Sequence, residues 1–447
     1  MTAVPGTRTK ISAREVALQV VRDVFGTELR GAQAACEIRA RKAGLDTRDR
    51  AFAVELAYGA IKARRLLDWY LGPYLGERTK ALPAVIEEIL RLGIYQLRCM
   101  GGVEPRAAVY ESVNLALRYG HRGTAGLVNA ILRRFIADAP SPPQRSDFDA
   151  EGDYFGTAYS LPTWIATGWS TQFDGLREAV FAGVNAAPQR VIRVNALRAG
   201  VEDVRTELRT RGIVAETSAV VPEALVLEGE AVADDEDARW ALQGEAACMP
   251  VDLLAPKPGE SVLELCSGRG HKSVQLAARM RAEGSLACVE IDPRKVRVLH
   301  AVLERAGASN AAIVEGDATQ AVAELAADAV LLDAPCSGLG ILGRHPEARW
   351  RKAPGDPARL APAQAALLRA AAARTKAGGR LVYSVCSTDP REGFEQIERF
   401  LAEEAAWARA PLPERYRPFA TAAGDVAVPP GIAGRDGFFI AALERAP

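Results

Sequence analysis

The chain has 447 residues, 49% hydrophobic and 25% charged, and its 56 basic and 56 acidic side chains cancel. That length exceeds one hydrophobic core and predicts two to four domains of a soluble globular protein. No stretch nears the roughly 18 consecutive apolar residues of a membrane span, and 7 cysteines without a CxxC spacing point to neither a zinc site nor a disulfide framework. Residues 1–8 carry no apolar segment of the secretory kind, so a cytoplasmic protein without a structural metal is expected. The neutral total conceals an asymmetry. Residues 1–140 hold 22 Lys and Arg against 14 Asp and Glu, a net of +8, leaving −8 for the remainder. A basic module on an acidic body suggests a polyanionic partner, with nucleic acid first among them.

From residue 11 to about 137 the apolar residues recur at helical spacing. Ile11-Ser-Ala-Arg-Glu-Val-Ala-Leu opens with a capping box from Ser12 to Glu15. A second helix follows from Arg48, with Asp46 or Thr47 as its N-cap. Further helices are expected over 84–100, 107–119 and 124–136, which together make an all-α bundle of ordinary domain size. Glu111-Ser-Val-Asn-Leu-Ala-Leu-Arg-Tyr-Gly-His-Arg-Gly-Thr-Ala-Gly-Leu-Val-Asn-Ala-Ile-Leu-Arg-Arg resembles the end of a NusB-type RNA-binding helical domain, and Asp49-Arg-Ala-Phe-Ala-Val-Glu-Leu-Ala-Tyr-Gly an earlier helix of it. Arg118, His121, Arg122, Arg133 and Arg134 are then candidate phosphate contacts, since guanidinium forks match phosphate oxygens.

Pro140-Ser-Pro-Pro-Gln-Arg-Ser-Asp is a stiff polar connector. Beyond it come Leu161-Pro-Thr-Trp, a strand at 190–197, a helix at 201–211 and a strand pair near 214 and 224–227. This small α+β unit resembles the RRM-like subdomain that precedes the catalytic domain of RNA cytosine-5 methyltransferases. From Gly259 strands and helices alternate: strands at 261–265, 286–291, 311–315 and 329–332, helices after each of the first two, a helix at 362–375, and a fifth strand entered from Gly378. Such alternation predicts a Rossmann-like doubly wound sheet. The expected domains are 8–140, 145–245 and 246–447.

Chemistry collects at the strand ends, where open α/β sheets bind ligands. The loop Cys266-Ser267-Gly268-Arg269-Gly270-His271-Lys272 follows strand one, its glycines allowing close backbone approach. It does not match the dinucleotide fingerprint. Glu290, Asp317 and Asp333 close strands two, three and four. A carboxylate at Glu290 can accept both hydroxyls of a ribose, and Asp317 an adenine amino group. Three acids without a pyrophosphate-binding glycine triad fit S-adenosylmethionine better than NAD. Cys336 and Cys386 fall in loops after adjacent strands. C5 of cytosine is a poor nucleophile until a thiolate adds at C6, after which C5 can attack a methyl donor. Removal of the C5 proton and expulsion of the thiolate complete the reaction.

Asp333-Ala-Pro-Cys-Ser-Gly-Leu-Gly-Ile-Leu-Gly-Arg-His-Pro-Glu-Ala-Arg-Trp resembles a signature motif of RsmB-type (Fmu/Sun) ribosomal RNA cytosine-5 methyltransferases. Tyr383-Ser-Val-Cys-Ser-Thr resembles their Tyr-x-Thr-Cys-Ser motif, and Asp436-Gly-Phe-Phe-Ile-Ala their C-terminal strand. With the NusB-like front, the resemblance covers nearly the whole chain. It implies Cys386 as nucleophile and Cys336 as the group assisting release of the methylated base. It implies cofactor binding by Cys266 to Lys272, Glu290, Asp317 and Asp333, with Lys272 orienting Asp333 or the base, and Arg344, His345 and Trp350 facing RNA. Arg269 and His271 depart from the family's Cys-Ala-Ala-Pro-Gly-Gly-Lys-Thr, and Val385 stands in place of Thr. The expected protein is a monomeric small-subunit (16S) rRNA methyltransferase. A tRNA cytosine-5 methyltransferase and a non-catalytic RNA-binding assembly factor stand as the alternatives.

Overall fold

A computed structural model describes residues 11–27, 29–76, 82–229, 232–322 and 324–447. The octet read above for a secretory signal lies outside them. The chain forms two compact units, Met1–Arg177 with His345–Arg351, and Glu178–Arg344 with Lys352–Pro447.

The first unit is helical: α1 (Ala13–Phe25), α2 (Ala32–Ala43), α3 (Thr47–Lys62), α4 (Arg64–Leu75), α5 (Ala84–Arg98), α6 (Pro105–Tyr119), α7 (Arg122–Asp138), α8 (Glu151–Ala158) and α9 (Thr163–Gln172). Ser12 caps α1 by accepting the Glu15 N–H at 3.2 Å. The Glu15 side chain, expected to complete the capping box, turns to α6 instead and accepts from Tyr119 Oη at 2.8 Å and Arg118 Nη1 at 2.5 Å. A buried carboxylate is stabilised more by a guanidinium and a phenol than by one N–H. Of the two candidate caps of α3, Asp46 serves, its Oδ1 accepting the Asp49 N–H at 2.8 Å. Val16, Val20 and Val24, four residues apart, sink one face of α1 into a core with Leu56, Ile61, Ile89, Val128 and Leu132. Gly59 lets α3 and α5 touch, since a Cβ there would stand 1.9 Å from Tyr95 Cζ.

The second unit begins with α10 (Arg177–Asn185) and a small sheet: β1 (Arg190–Val194), α11 (Val201–Thr210), β2 (Val214–Thr217), β3 (Ala224–Glu228) and β4 (Trp240–Leu242). Its order is β2-β3-β1-β4, antiparallel throughout. Then come α12 (Glu245–Leu254), β5 (Ser261–Leu265), α13 (His271–Arg279), β6 (Ser285–Glu290), α14 (Pro293–Ala306), β7 (Ala311–Glu315) and β8 (Ala327–Asp333). After α15 (Ala348–Arg351), whose residues group with the first unit, follow α16 (Asp356–Arg374), β9 (Thr375–Val385), α17 (Phe394–Glu403), β10 (Trp407–Arg409), β11 (Val426–Val428) and β12 (Phe438–Arg445). Pro362, read from the sequence as the start of α16, lies in its second turn. The helix begins earlier, where Asp356 Oδ2 accepts the Ala353 N–H at 2.9 Å.

The large sheet runs β10-β12-β9-β8-β5-β6-β7, with β5 to β9 mutually parallel and β12 antiparallel to β9. In β8, Ala329 and Leu331 enter the core on one face and Val330 and Leu332 the core on the other, which is why the strand reads as an unbroken apolar run. The chain moves outward from β5 through β6 to β7, then returns to place β8 on the other flank of β5. That reversal opens a crevice at the carboxyl ends of β5 and β8.

Candidate active site

The register brings the expected residues to one edge. Leu265 pairs with Val289 on one side and Leu332 on the other, and Asp333 pairs with Ser384. The loop after β5 reaches α13 through three left-handed residues, Cys266 (φ 63°), Gly268 (φ 63°) and Gly270 (φ 91°). A Cβ on Gly270 would lie 2.7 Å from Leu299 Cδ1, whereas one on Gly268 would meet nothing nearer than Cys266 O at 3.9 Å. The loop is tied to β6, with Ser267 N donating to Val289 O at 2.9 Å and Gly268 N to Glu290 Oε2 at 2.8 Å. Glu290 Oε1 accepts from Asp292 N at 2.9 Å. Beneath them the buried Glu264 accepts from Ser273 Oγ, and burial pushes its carboxyl up to about 7. Arg269 and His271 are exposed, and the His271 carbonyl accepts from Arg193 Nη2 at 3.2 Å. Asp317 is also exposed. Its Oδ1 accepts Thr319 N at 2.9 Å and Oγ1 at 2.8 Å, bonds that hold it below its usual range.

Asp333 is held by two donors, Lys272 Nζ to Oδ2 and Ser384 Oγ to Oδ1, both at 2.7 Å. Burial alone would lower the Lys272 ammonium, but the charge and hydrogen bond of Asp333 outweigh it and the group is raised. The ammonium therefore stays charged. A charge on Cys386 would raise the same ammonium further, after that of Asp333.

Cys336 and Cys386 meet, Sγ to Sγ, at 3.3 Å. The Cys336 thiol is raised well above its ordinary range by its hydrogen bond to Cys386, then by burial, then by the charges of Cys386 and Glu392. The Cys336 thiol therefore holds its proton, within hydrogen-bonding reach of Cys386 Sγ. Cys266, in the same crevice, is pushed up to about 12 by burial and by the charges of Glu290 and Asp333. Its thiol stays protonated.

The residues expected to face RNA divide. Arg344 is committed within the second unit, Nε to Asp436 Oδ2 at 2.7 Å and Nη2 to Gln189 O at 2.8 Å. Trp350 packs on the helical core of the first unit, Nε1 donating to Ile61 O at 2.7 Å. The single donor of Trp350 is thus spent inside the protein, whereas the bonds of Arg344 use two of its three guanidinium nitrogens and leave its side chain 30% exposed. Next to Trp350, Arg349 is fully buried and donates to Ser160 O at 3.1 Å. His345 is exposed. Arg118, Arg122, Arg133 and Arg134 are exposed on α6 and α7, though Arg118 is paired with Glu15 and Arg134 with Asp138 at 3.4 Å. His121 is the cap of α7, its Nδ1 accepting the Gly123 N–H at 3.1 Å.

Sequence reading missed the support behind the thiols: Ser337, Ser387, Gln364 and the fully buried Glu392, linked by hydrogen bonds. A signal was present, because each cysteine is followed directly by serine.

Comparison with known proteins places these features in a family. Residues 251–444 match the family described as 16S rRNA methyltransferase RsmB/F, residues 11–137 the NusB family, and residues 161–233 the ferredoxin-like domain of RsmF/B-like methyltransferases. The probable ribosomal RNA small subunit methyltransferase B of Synechocystis is 33% identical, over 98% of this chain and 100% of its own. Ribosomal RNA small subunit methyltransferase B of Thermus thermophilus is 35% identical over 91% of each chain. The crystal structure of PH0851 superposes with a TM-score of 0.81 at 25% identity, covering 99% of this chain and 100% of that one.

Proposed function

The chain belongs to the RsmB/F family of 16S rRNA methyltransferases, and from that premise we propose that it methylates C5 of a cytosine in small-subunit ribosomal RNA, with S-adenosylmethionine as donor. The observation carrying this reading is the 3.3 Å contact of Cys336 and Cys386 at the carboxyl edge of the sheet, beside Lys272 and Asp333.

The residues of the crevice fit that cofactor. Gly268 leaves open space where any side chain would intrude, Glu290 stands at the end of β6 for a ribose, and the exposed Asp317 follows β7 for an adenine amino group. Bound there by the Cys266–Lys272 loop, Glu290, Asp317 and Asp333, S-adenosylmethionine supplies an electrophilic methyl group. Cys386 adds as thiolate to C6 of the target base, which must be unpaired or extruded to be reached. The Sγ–C6 bond gives C5 the electron density to take the methyl. The donor departs as S-adenosylhomocysteine, water or a base in the crevice takes the C5 proton, and the electron pair left behind re-forms the C5–C6 double bond and expels the Cys386 thiolate, which the Cys336 S–H stabilises as it leaves. The pair of Lys272 and Asp333 fixes a charged donor beside this exchange and orients it towards the base.

In this reading residues 8–140 hold flanking RNA through the exposed Arg118, Arg122, Arg133 and Arg134, residues 145–245 connect, and residues 246–447 carry the reaction, in a monomer acting in the cytoplasm. The test is methyl transfer from labelled S-adenosylmethionine into total RNA, with the product base identified. Label in 5-methylcytosine of small-subunit rRNA is expected. Label in tRNA would overturn the substrate, and cofactor that fails to bind would favour an assembly role.

A further inference from the structure

We propose that Glu392 is a positioning residue that joins the two cysteine loops and fixes the separation of their thiols, an inference that rests on Cys336 and Cys386 being the reacting pair. Glu392 lies in the loop between β9 and α17 and is wholly buried. Its Oε1 accepts from Ser337 N at 2.8 Å and Gln364 Nε2 at 3.0 Å. Its Oε2 accepts from Ser387 Oγ at 2.5 Å and from Ser337 Oγ. The two hydroxyls also meet each other at 3.0 Å.

Three of these four donors belong to the residues that directly follow the two cysteines, so one carboxylate grips both loops next to the sulfur atoms. The carboxylate is itself anchored. Tyr383 Oη, three residues before Cys386, donates to Glu392 O at 2.6 Å, and Gln364 Nε2 also holds Pro335 O, just before Cys336, at 2.9 Å. All four donors are neutral, so the buried carboxyl group is not spent on an ion pair. It is shared among groups whose placement it enforces, as a satisfied buried network does. Two loops after separate strands would otherwise set their thiols independently, and a shift near 1 Å between reacting groups is enough to cost a large factor in rate. The carboxylate also acts on Cys336 through its charge, favouring the protonated thiol there.

The test reads the thiols directly, without RNA. Iodoacetamide labelling of Cys336 and Cys386 in the full chain is followed by mass spectrometry from pH 6 to 10 for wild type, Glu392→Gln and Ser387→Ala. Glu392→Gln removes the charge and puts a donor against donors. Labelling of Cys336 at pH 8 should rise about tenfold, the effect of a midpoint lower by one unit. The rate of methyl transfer should fall at least tenfold while affinity for S-adenosylmethionine is kept. Ser387→Ala deletes one hydroxyl, so it should show a smaller shift in the same sense and carries the comparison if Glu392→Gln does not fold. Folded variants with wild-type labelling profiles at both thiols would overturn the proposal. A shifted profile in a chain whose wild type makes no 5-methylcytosine would leave the coupling standing and refute the assigned reaction instead.

Discussion

Gly268 and Gly270 stand two residues apart in the same loop, and replacing each by alanine separates fold from cofactor. Both have left-handed backbone, so either alanine costs about 1 kcal/mol in conformation. At Gly270 the new Cβ would also lie 2.7 Å from Leu299 Cδ1 and 3.4 Å from Val302 Cγ1. Leu299 is fully buried, so it yields only by disturbing its own packing, which adds roughly 1–3 kcal/mol. Gly270→Ala should therefore lose about 3 kcal/mol in urea denaturation and Gly268→Ala only about 1. The Gly268 methyl points into open space, which the cofactor is proposed to fill. Titration calorimetry should find S-adenosylmethionine bound at least tenfold more weakly by Gly268→Ala, about 1.4 kcal/mol. Wild-type affinity in Gly268→Ala would refute placement of the cofactor over this loop.

Other expectations follow from the same geometry. Glu290→Gln keeps one acceptor for two backbone donors, Gly268 N and Asp292 N, and should weaken cofactor binding about tenfold by calorimetry, roughly the worth of one charge-assisted hydrogen bond. Glu264 is pushed up to about 7 from an ordinary 4.5, so the folded state binds its proton more tightly than the unfolded chain does. Its contribution is full below pH 4.5 and is lost as pH rises through 7, a change of about 3 kcal/mol. Wild type should lose that much more stability than Glu264→Gln between pH 4.5 and 8 in urea titrations. Trp350→Phe removes the donor to Ile61 O and should cost about 1 kcal/mol of stability with RNA affinity unchanged, as filter binding would report.

Much of this was legible in the sequence because the strands are marked by period and by what stops them. Ala329 to Leu332 are buried on both faces, so their apolar run announced a central parallel strand, and Asp333-Ala-Pro ended it where the crevice lies. Glu290 and Asp333 end such strands and Cys336 and Cys386 follow them, which is the signal that made them candidates. Long-range polar pairing was not legible. Glu15 satisfied a local capping pattern yet turned to Arg118 and Tyr119, about a hundred positions away. In the motif that resembles a family signature, nothing in the sequence showed that Trp350 would donate to Ile61, or Arg344 to Asp436 and Gln189. Glu392 was passed over for the same reason. A buried acid shows its purpose only when the donors that surround it are known.

The most direct measurement is of the bond between protein and base. Cys336→Ala, incubated with small-subunit rRNA and S-adenosylmethionine, should accumulate chain covalently linked to RNA, because release then lacks its S–H donor. Digestion and mass spectrometry should place 5-methylcytosine on Cys386, and the double variant Cys336→Ala, Cys386→Ala should show no linkage. A link to any other residue, or methylated RNA released at the wild-type rate with no linked species, would contradict the covalent role of Cys386.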